Sequence, residues 1–212
     1  MNLFNVLLLG FAVSMDGFVA GVAYSIKKIH MPLGSLSIVG IVAAILTSIA
    51  MLCAYVLGKF IDTQLAIGLG AALLILLGLW SIFQHYLTKD VTSYEPEGEV
   101  TVRKLTFSIG RLVISIMAKP ETADVDKLGA ISSLEAVFLG LAVGLDAMVG
   151  TFAAALMGRL PLYTPLAVGV IHMICIAAGC GFSNRMISDA LKKRVPYLPG
   201  TLLILLGIIR LG

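Results

Sequence analysis

The sequence predicts an all-α integral membrane protein with six transmembrane helices, arranged as two inverted three-helix repeats. Three observations predict it. The 212-residue chain is 59% hydrophobic and only 13% charged, where soluble domains carry about one quarter charged residues. Its apolar runs reach the roughly 20 residues a helix needs to cross a bilayer. The first run, LLLGFAVSMDGFVAGVAYSI, is echoed about 130 residues later by LGLAVGLDAMVGTFAAAL, with one acid in each.

The spans read as 2–26, 34–58, 63–87, 131–157, 162–183 and 196–212. No basic stretch precedes the first, and it contains Asp16, so it reads as a retained span rather than a cleaved signal. The last is short and follows Pro196 and Pro199. The chain divides into a first repeat (1–87), a polar loop (88–130) and a second repeat (131–212). The loop holds Glu95, Glu97 and Glu99, which read as solvated; its part 105–117 mixes apolar and basic residues, as a segment lying on the membrane surface would.

Lys and Arg set the orientation. Twelve of the 15 lie after spans one, three and five; only Lys59, Arg159 and Arg210 lie on the other side. Both termini are therefore expected outside and the 88–130 loop in the cytoplasm. The cluster Lys192-Lys193-Arg194 reads as a topology determinant near anionic lipid, so membrane lipid is an expected partner. A net charge of +3 is no nucleic-acid signature. Cys53, Cys175 and Cys180 all fall in apolar runs, an odd number that argues against a disulfide framework.

The halves match in order. Leu9, Gly10, Ala12, Val13, Asp16, Val19 and Ala23 correspond to Leu139, Gly140, Ala142, Val143, Asp146, Val149 and Ala153. Val39-Gly40 corresponds to Val168-Gly169, and LLILLG at 73–78 recurs at 202–207, with the offset one residue shorter. Three spans per half make the second repeat enter from the opposite side, an architecture that places substrate near the midplane between repeats.

Asp16 and Asp146 then lie at similar depth, each just past the middle of its span. A charged Asp at the centre of a membrane helix costs about 2.5–3.5 kcal/mol on insertion scales, so each needs a partner or a wet cavity. Gly10, Ser14, Gly17 and Gly21 form a stripe of small residues on span one; Gly140, Gly144, Ala147 and Thr151 form its equivalent on span four. Such stripes permit close helix approach. Spans one and four are therefore expected to pack near each other, with both carboxylates facing protein and sharing one cation. Ser14 and Thr151 are candidate accessory ligands. Carboxylate, hydroxyl and carbonyl oxygens suit manganese, magnesium or calcium.

His172, midway along span five, is a candidate ligand or proton acceptor, but its repeat counterpart is Ala43, so symmetry favours a hydrogen-bonded packing role. Asp124, Asp126, Ala130 and Glu135 belong to a weak EF-hand-like loop: acids stand at the first and third places, Gly129 at the sixth and Glu135 at the twelfth, while Leu128 takes the fifth, where an oxygen is expected. The plainer reading is a polar turn at the start of span four.

SMDGF and GLDAM, with six spans and a polar central loop, resemble the MntP family of manganese efflux pumps. The passage KPETADVDKLGAISSLEAVFLGLAVGLDAM is closer still to its YtaF branch of sporulation membrane proteins. The resemblance covers nearly the whole chain and implies a bacterial cell-membrane protein in which Asp16 and Asp146 are the transport carboxylates and Mn2+ is the substrate, with no cofactor. Manganese pumps of the family often carry another polar or acidic residue in span two; here only Thr47, Ser48 and Tyr55 are polar candidates. A second copy of the chain, forming a homodimer, is carried as a candidate partner.

The leading expectation is a secondary transporter exporting a divalent cation. The alternative is a membrane assembly protein of spore formation whose Asp pair holds the fold. No nucleotide-binding motif supports an ATP-driven pump. No serine or cysteine stands beside His172 in the sequence as a nucleophile, so an enzyme is not expected.

Overall fold

A computed structural model describes residues 3–88, 116, 123–125, 128–181, 201, 203–205 and 207–208. Five long helices follow in order: α1 (Leu3–Lys27), α2 (Leu33–Leu57), α3 (Thr63–Thr88), α4 (Ser133–Leu156) and α5 (Thr164–Gly181). All five contain a stretch long and apolar enough to cross a membrane. Their ends fall close to the spans expected from hydropathy. Of the expected sixth span, the described residues Thr201, Leu203, Ile204, Leu205, Gly207 and Ile208 are helical. The protein is thus an all-helical, multi-pass membrane protein. Among the described residues the sole β-type pairing is an isolated bridge between His30 and Ala130.

The helix ends have local causes. α1 stops where Lys28 adopts a left-handed backbone (φ 59). The Ile29 N–H donates to the Tyr24 carbonyl at 2.9 Å and the Lys28 N–H to Ser25 at 3.2 Å, the paired bonds of a Schellman turn. Pro32 precedes α2 with extended backbone. Ser132 caps α4 in a reciprocal capping box with Glu135.

α1 packs chiefly on α5, and α2 chiefly on α4; α2 also meets α5, while α3 meets α4 and α1 touches α4 more lightly. α1 and α4 are the inner helices, with 56% of each apolar stretch buried, against 28% for α3. The exposed sides of α2 and α3 carry Ile41, Ile45, Ile49, Leu52, Leu65, Leu69, Leu76 and Leu79, apolar side chains suited to lipid.

Small residues govern these contacts because apolar side chains gain nothing by leaving lipid tails for each other; packing must supply the association. At the α1–α5 crossing the backbones touch. A Cβ added to Gly21 would collide with the Ile176 carbonyl and lie 2.9 Å from the Cys180 nitrogen; one on Gly179 would collide with the Phe18 carbonyl. Gly140 lies against Val39 and Val42, and Gly10 against Val168 and Ile171. Gly40 and Gly169 bring α2 and α5 together.

The expected proximity of spans one and four is found at Gly150, whose added Cβ would be 2.7 Å from Val13. The small-residue stripes, however, are mostly taken up elsewhere: Gly10, Gly17 and Gly21 by α5, Gly140 and Gly144 by α2. Periodicity fixes the face of a helix and leaves its partner open.

Most of the 88–130 loop lies outside the described residues. Ile116 and Ala123 are described, and both are buried in one cluster with Tyr24, Leu36, Val39 and Ile131. At Ile116 the loop therefore enters the packed interior, where a surface-lying segment was expected.

Replacing Gly21 by Val should lower thermal stability in detergent strongly, since overpacking typically costs about 1–3 kcal/mol and backbone cannot yield as a side chain can. Gly68, whose added Cβ meets nothing within 4 Å, is the control: Gly68→Ala should be neutral or stabilising by up to about 1 kcal/mol. Equal melting temperatures for Gly21→Val and wild type would contradict the close crossing.

Candidate functional site

The α1–α5 crossing brings four polar groups together. Ser14 and His172 are both fully buried. Imidazole Nδ1 and Ser14 Oγ are hydrogen-bonded at 3.0 Å. Nε2 of the same ring stands 3.9 Å from Asp16 Oδ1, beyond hydrogen-bond range, and it has no hydrogen-bond partner among the described residues. Asp16 Oδ1 accepts the Gly17 N–H at 2.8 Å. Its side chain keeps 28% exposure. The ring lies flat against the α1 backbone: a Cβ on Gly17 would be 3.1 Å from both Cδ2 and Nε2. The Cys175 thiol is also buried, one turn along α5.

Asp146 comes from α4, which meets α1 more lightly than α5 does. Asp146 is exposed, together with Leu145 and Val149, whereas Gly144, Ala147 and Thr151 on the opposite side of the helix are buried. Both carboxylates were expected to face protein; Asp146 instead opens to the surface of the chain. Helical spacing of about 100° per residue explains this, since the face that packs on α2 turns residue 146 away. Thr151 Oγ is buried without a hydrogen-bond partner among the described residues. Among the described residues no three His, Cys, Asp or Glu side chains are grouped closely enough to hold one ion.

Of Thr47, Ser48 and Tyr55, the polar candidates of span two, Thr47 is the buried one, and its hydroxyl donates to its own helix, at 2.8 Å to Ala43 and 3.1 Å to Ala44. Ser48 is exposed and bonds to Ala44. Tyr55 is exposed, with the Lys59 ammonium 4.5 Å above its ring.

The 124–135 segment serves as a structural clasp. Glu135 Oε1 accepts the Val125 N–H at 2.7 Å and Oε2 the Ser132 N–H at 2.8 Å. Asp124 Oδ2 accepts the Gly129 N–H at 3.1 Å, where Gly129 has a φ of 76. Across the bridge the His30 N–H donates to the Gly129 carbonyl at 2.7 Å and the Ile131 N–H to the His30 carbonyl at 3.0 Å, and Ser35 Oγ donates to the Ile131 carbonyl at 2.6 Å. These bonds fasten the entry of α4 to the α1–α2 connection. Asp126 lies outside the described residues, and Ala130 contributes its backbone to the bridge.

Sequence reasoning named Ser14 and His172 separately and missed that they form one unit. The missed signal was the pairing of two departures from the repeat. Ser14 corresponds to Gly144 and His172 to Ala43, and Gly144 indeed lies against Ala43.

The chain matches the family model described as "Putative manganese efflux pump" over residues 1–82 and 100–211. It is 29% identical over 211 residues to the "Probable sporulation protein YtaF" of Bacillus subtilis (strain 168), with the whole of both chains covered. No solved structure matches.

Glu135→Ala should lower thermal stability by about 1–3 kcal/mol, because two backbone N–H groups lose a charged acceptor. Thermal unfolding measured with and without Mn2+ checks this. A variant as stable as wild type would contradict the clasp, and a loss seen only with Mn2+ present would make the segment a metal site instead.

Proposed function

We propose that this chain, which belongs to the MntP family whose model it matches over nearly its full length, is a secondary transporter that exports a divalent cation, with manganese as substrate. The observation that carries this reading is that two membrane-spanning helices which meet each other, α1 and α4, each contribute one carboxyl group, Asp16 and Asp146. Two carboxylates repel strongly in a medium of low dielectric, and a divalent cation offsets both charges at once. Exposed Asp146 is the outer member of the pair and Asp16 the inner one. The family model describes an efflux pump, not an enzyme.

An inverted repeat accounts for the helix pairing. The first helix of each half packs on the second helix of the other: α1 on α5 and α4 on α2. The residue contacts correspond as well, with Gly10 on Val168 and Ile171 where Gly140 meets Val39 and Val42. Such repeats form ion sites at their interface and alternate access by rocking. Proton exchange through the carboxylates is the simplest coupling for export against a gradient. The bias of Lys and Arg supports both termini outside and the 88–130 loop in the cytoplasm.

A second reading, a membrane assembly protein of spore formation, is favoured by the name of the Bacillus subtilis relative. In that reading the Asp pair serves packing and tolerates Asn.

Purified protein in sealed liposomes under an imposed proton gradient should take up Mn2+. Asp16→Asn and Asp146→Asn should each reduce uptake to the level of protein-free liposomes. Unchanged uptake in the double variant would overturn the site, and absence of uptake by folded wild type would overturn the transporter reading in favour of assembly. For orientation, trypsin should cut at Lys104 only in inside-out vesicles; cutting in right-side-out vesicles would reverse the topology.

A further inference from the structure

We propose that His172, held by Ser14, is a nitrogen ligand of the transported ion beside Asp16, and that it makes the site favour first-row transition ions over magnesium and calcium. This inference rests on the transporter reading and specifies the chemistry of its site.

The unused imidazole nitrogen is the starting point. His172 is completely buried, and Nε2 has no partner among the described residues. A buried polar group left unsatisfied costs free energy, and Asp16 Oδ1 is 3.9 Å away. That separation is too long for a hydrogen bond and fits two donors around one ion, since metal–nitrogen and metal–oxygen bonds of about 2.0–2.2 Å together span up to about 4 Å. With the Nδ1 proton donated to Ser14 Oγ, the Nε2 lone pair is free for a metal. A second-shell hydrogen bond of this kind fixes the tautomer and ring orientation of metal-ligating histidines. Gly17 lets the α1 backbone hold the ring from the other side, where a Cβ would press on Cδ2 and Nε2 at 3.1 Å.

The two halves differ at this contact. Where the first half offers Ser14 to His172, the second offers Gly144 to Ala43, with 3.3 Å from an added Cβ to the Ala43 Cα. No imidazole fits there. The polar departures from the repeat therefore meet each other, next to one Asp and not the other. In span two the Thr47 hydroxyl donates to its own helix. Asp16 and His172 give an oxygen–nitrogen pair, with the remaining positions left to water, to backbone carbonyls and to Asp146 when the halves rock together. An all-oxygen site suits Mg2+, Ca2+ and Mn2+ alike; adding imidazole shifts preference to the transition ions.

The test is pulsed electron paramagnetic resonance of Mn2+ bound to the full-length protein in lipid nanodiscs, paired with uptake in liposomes. Wild type should show the modulation of a directly coordinated 14N nucleus. His172→Gln should lose it, and excess Mg2+ should inhibit Mn2+ uptake by this variant at a concentration at least about 10-fold lower than in wild type, the scale on which ligand-shell changes alter affinity. Ser14→Ala should keep the nitrogen signal with weaker Mn2+ binding; unchanged binding would remove Ser14 from the role. Should His172→Gln not fold, the wild-type spectrum alone decides. Bound, transported Mn2+ without a nitrogen signal would overturn His172 as ligand and leave the transporter reading standing. Wild type that neither binds nor moves Mn2+ would overturn both.

Discussion

The close crossing of α1 and α5 at Gly21 and Gly179 is the contact on which the rest of the site depends. Backbone atoms of the two helices meet there, with Phe18 and Ile176 carbonyls occupying the room a Cβ would need. Association in lipid rests on such packing and on polar contacts, because burying apolar side chains gives little when the solvent is itself apolar. The crossing sets the spacing one turn earlier along α1, where Gly17 receives the imidazole edge and Ser14 reaches Nδ1. Any larger side chain on the stripe would move His172 away from Asp16.

The same economy of side-chain volume recurs at the α2–α4 and α2–α5 contacts, through Gly140, Gly144, Gly40 and Gly169. The result is a framework of closely spaced helices with an apolar outer surface and a small set of buried polar groups. Those groups differ in how they are satisfied. Thr47 closes on its own helix, and Glu135 is engaged on both oxygens by backbone N–H groups. Among the described residues His172 is half satisfied, and its open nitrogen lies 3.9 Å from the Asp16 carboxylate. An incomplete polar network in low dielectric is costly unless something completes it, which is what separates a site from a structural hydrogen bond here.

Much of this was legible in the sequence, and the limits have physical causes. Five spans were placed within a few residues, because a bilayer demands long apolar runs whatever the tertiary packing. The stripes were legible as small residues at helical spacing. Their partners were not, since a stripe fits any helix that can approach it, and α5 and α2 took the places expected of α4 and α1. Helical spacing did contain the exposure of Asp146: the residue lies well round the helix from Gly144, and the expectation that both acids face protein gave that angle too little weight. His172 was discounted because repeat symmetry put Ala43 in its place; only the fold shows that Ser14 breaks the symmetry at the same contact. Ile116 was read as part of a polar loop, and nothing in its neighbours signals that it joins the core beside Tyr24 and Ile131.

In the proposed site a divalent cation sits between an α1 carboxylate and an α5 imidazole. Anomalous diffraction at the manganese edge, from crystals of the full chain equilibrated with Mn2+, tests it most directly. The account predicts an anomalous peak within bonding distance of Asp16 Oδ1 and His172 Nε2. A peak confined to the 124–135 segment, or none near Asp16 in crystals that bind Mn2+, would contradict it.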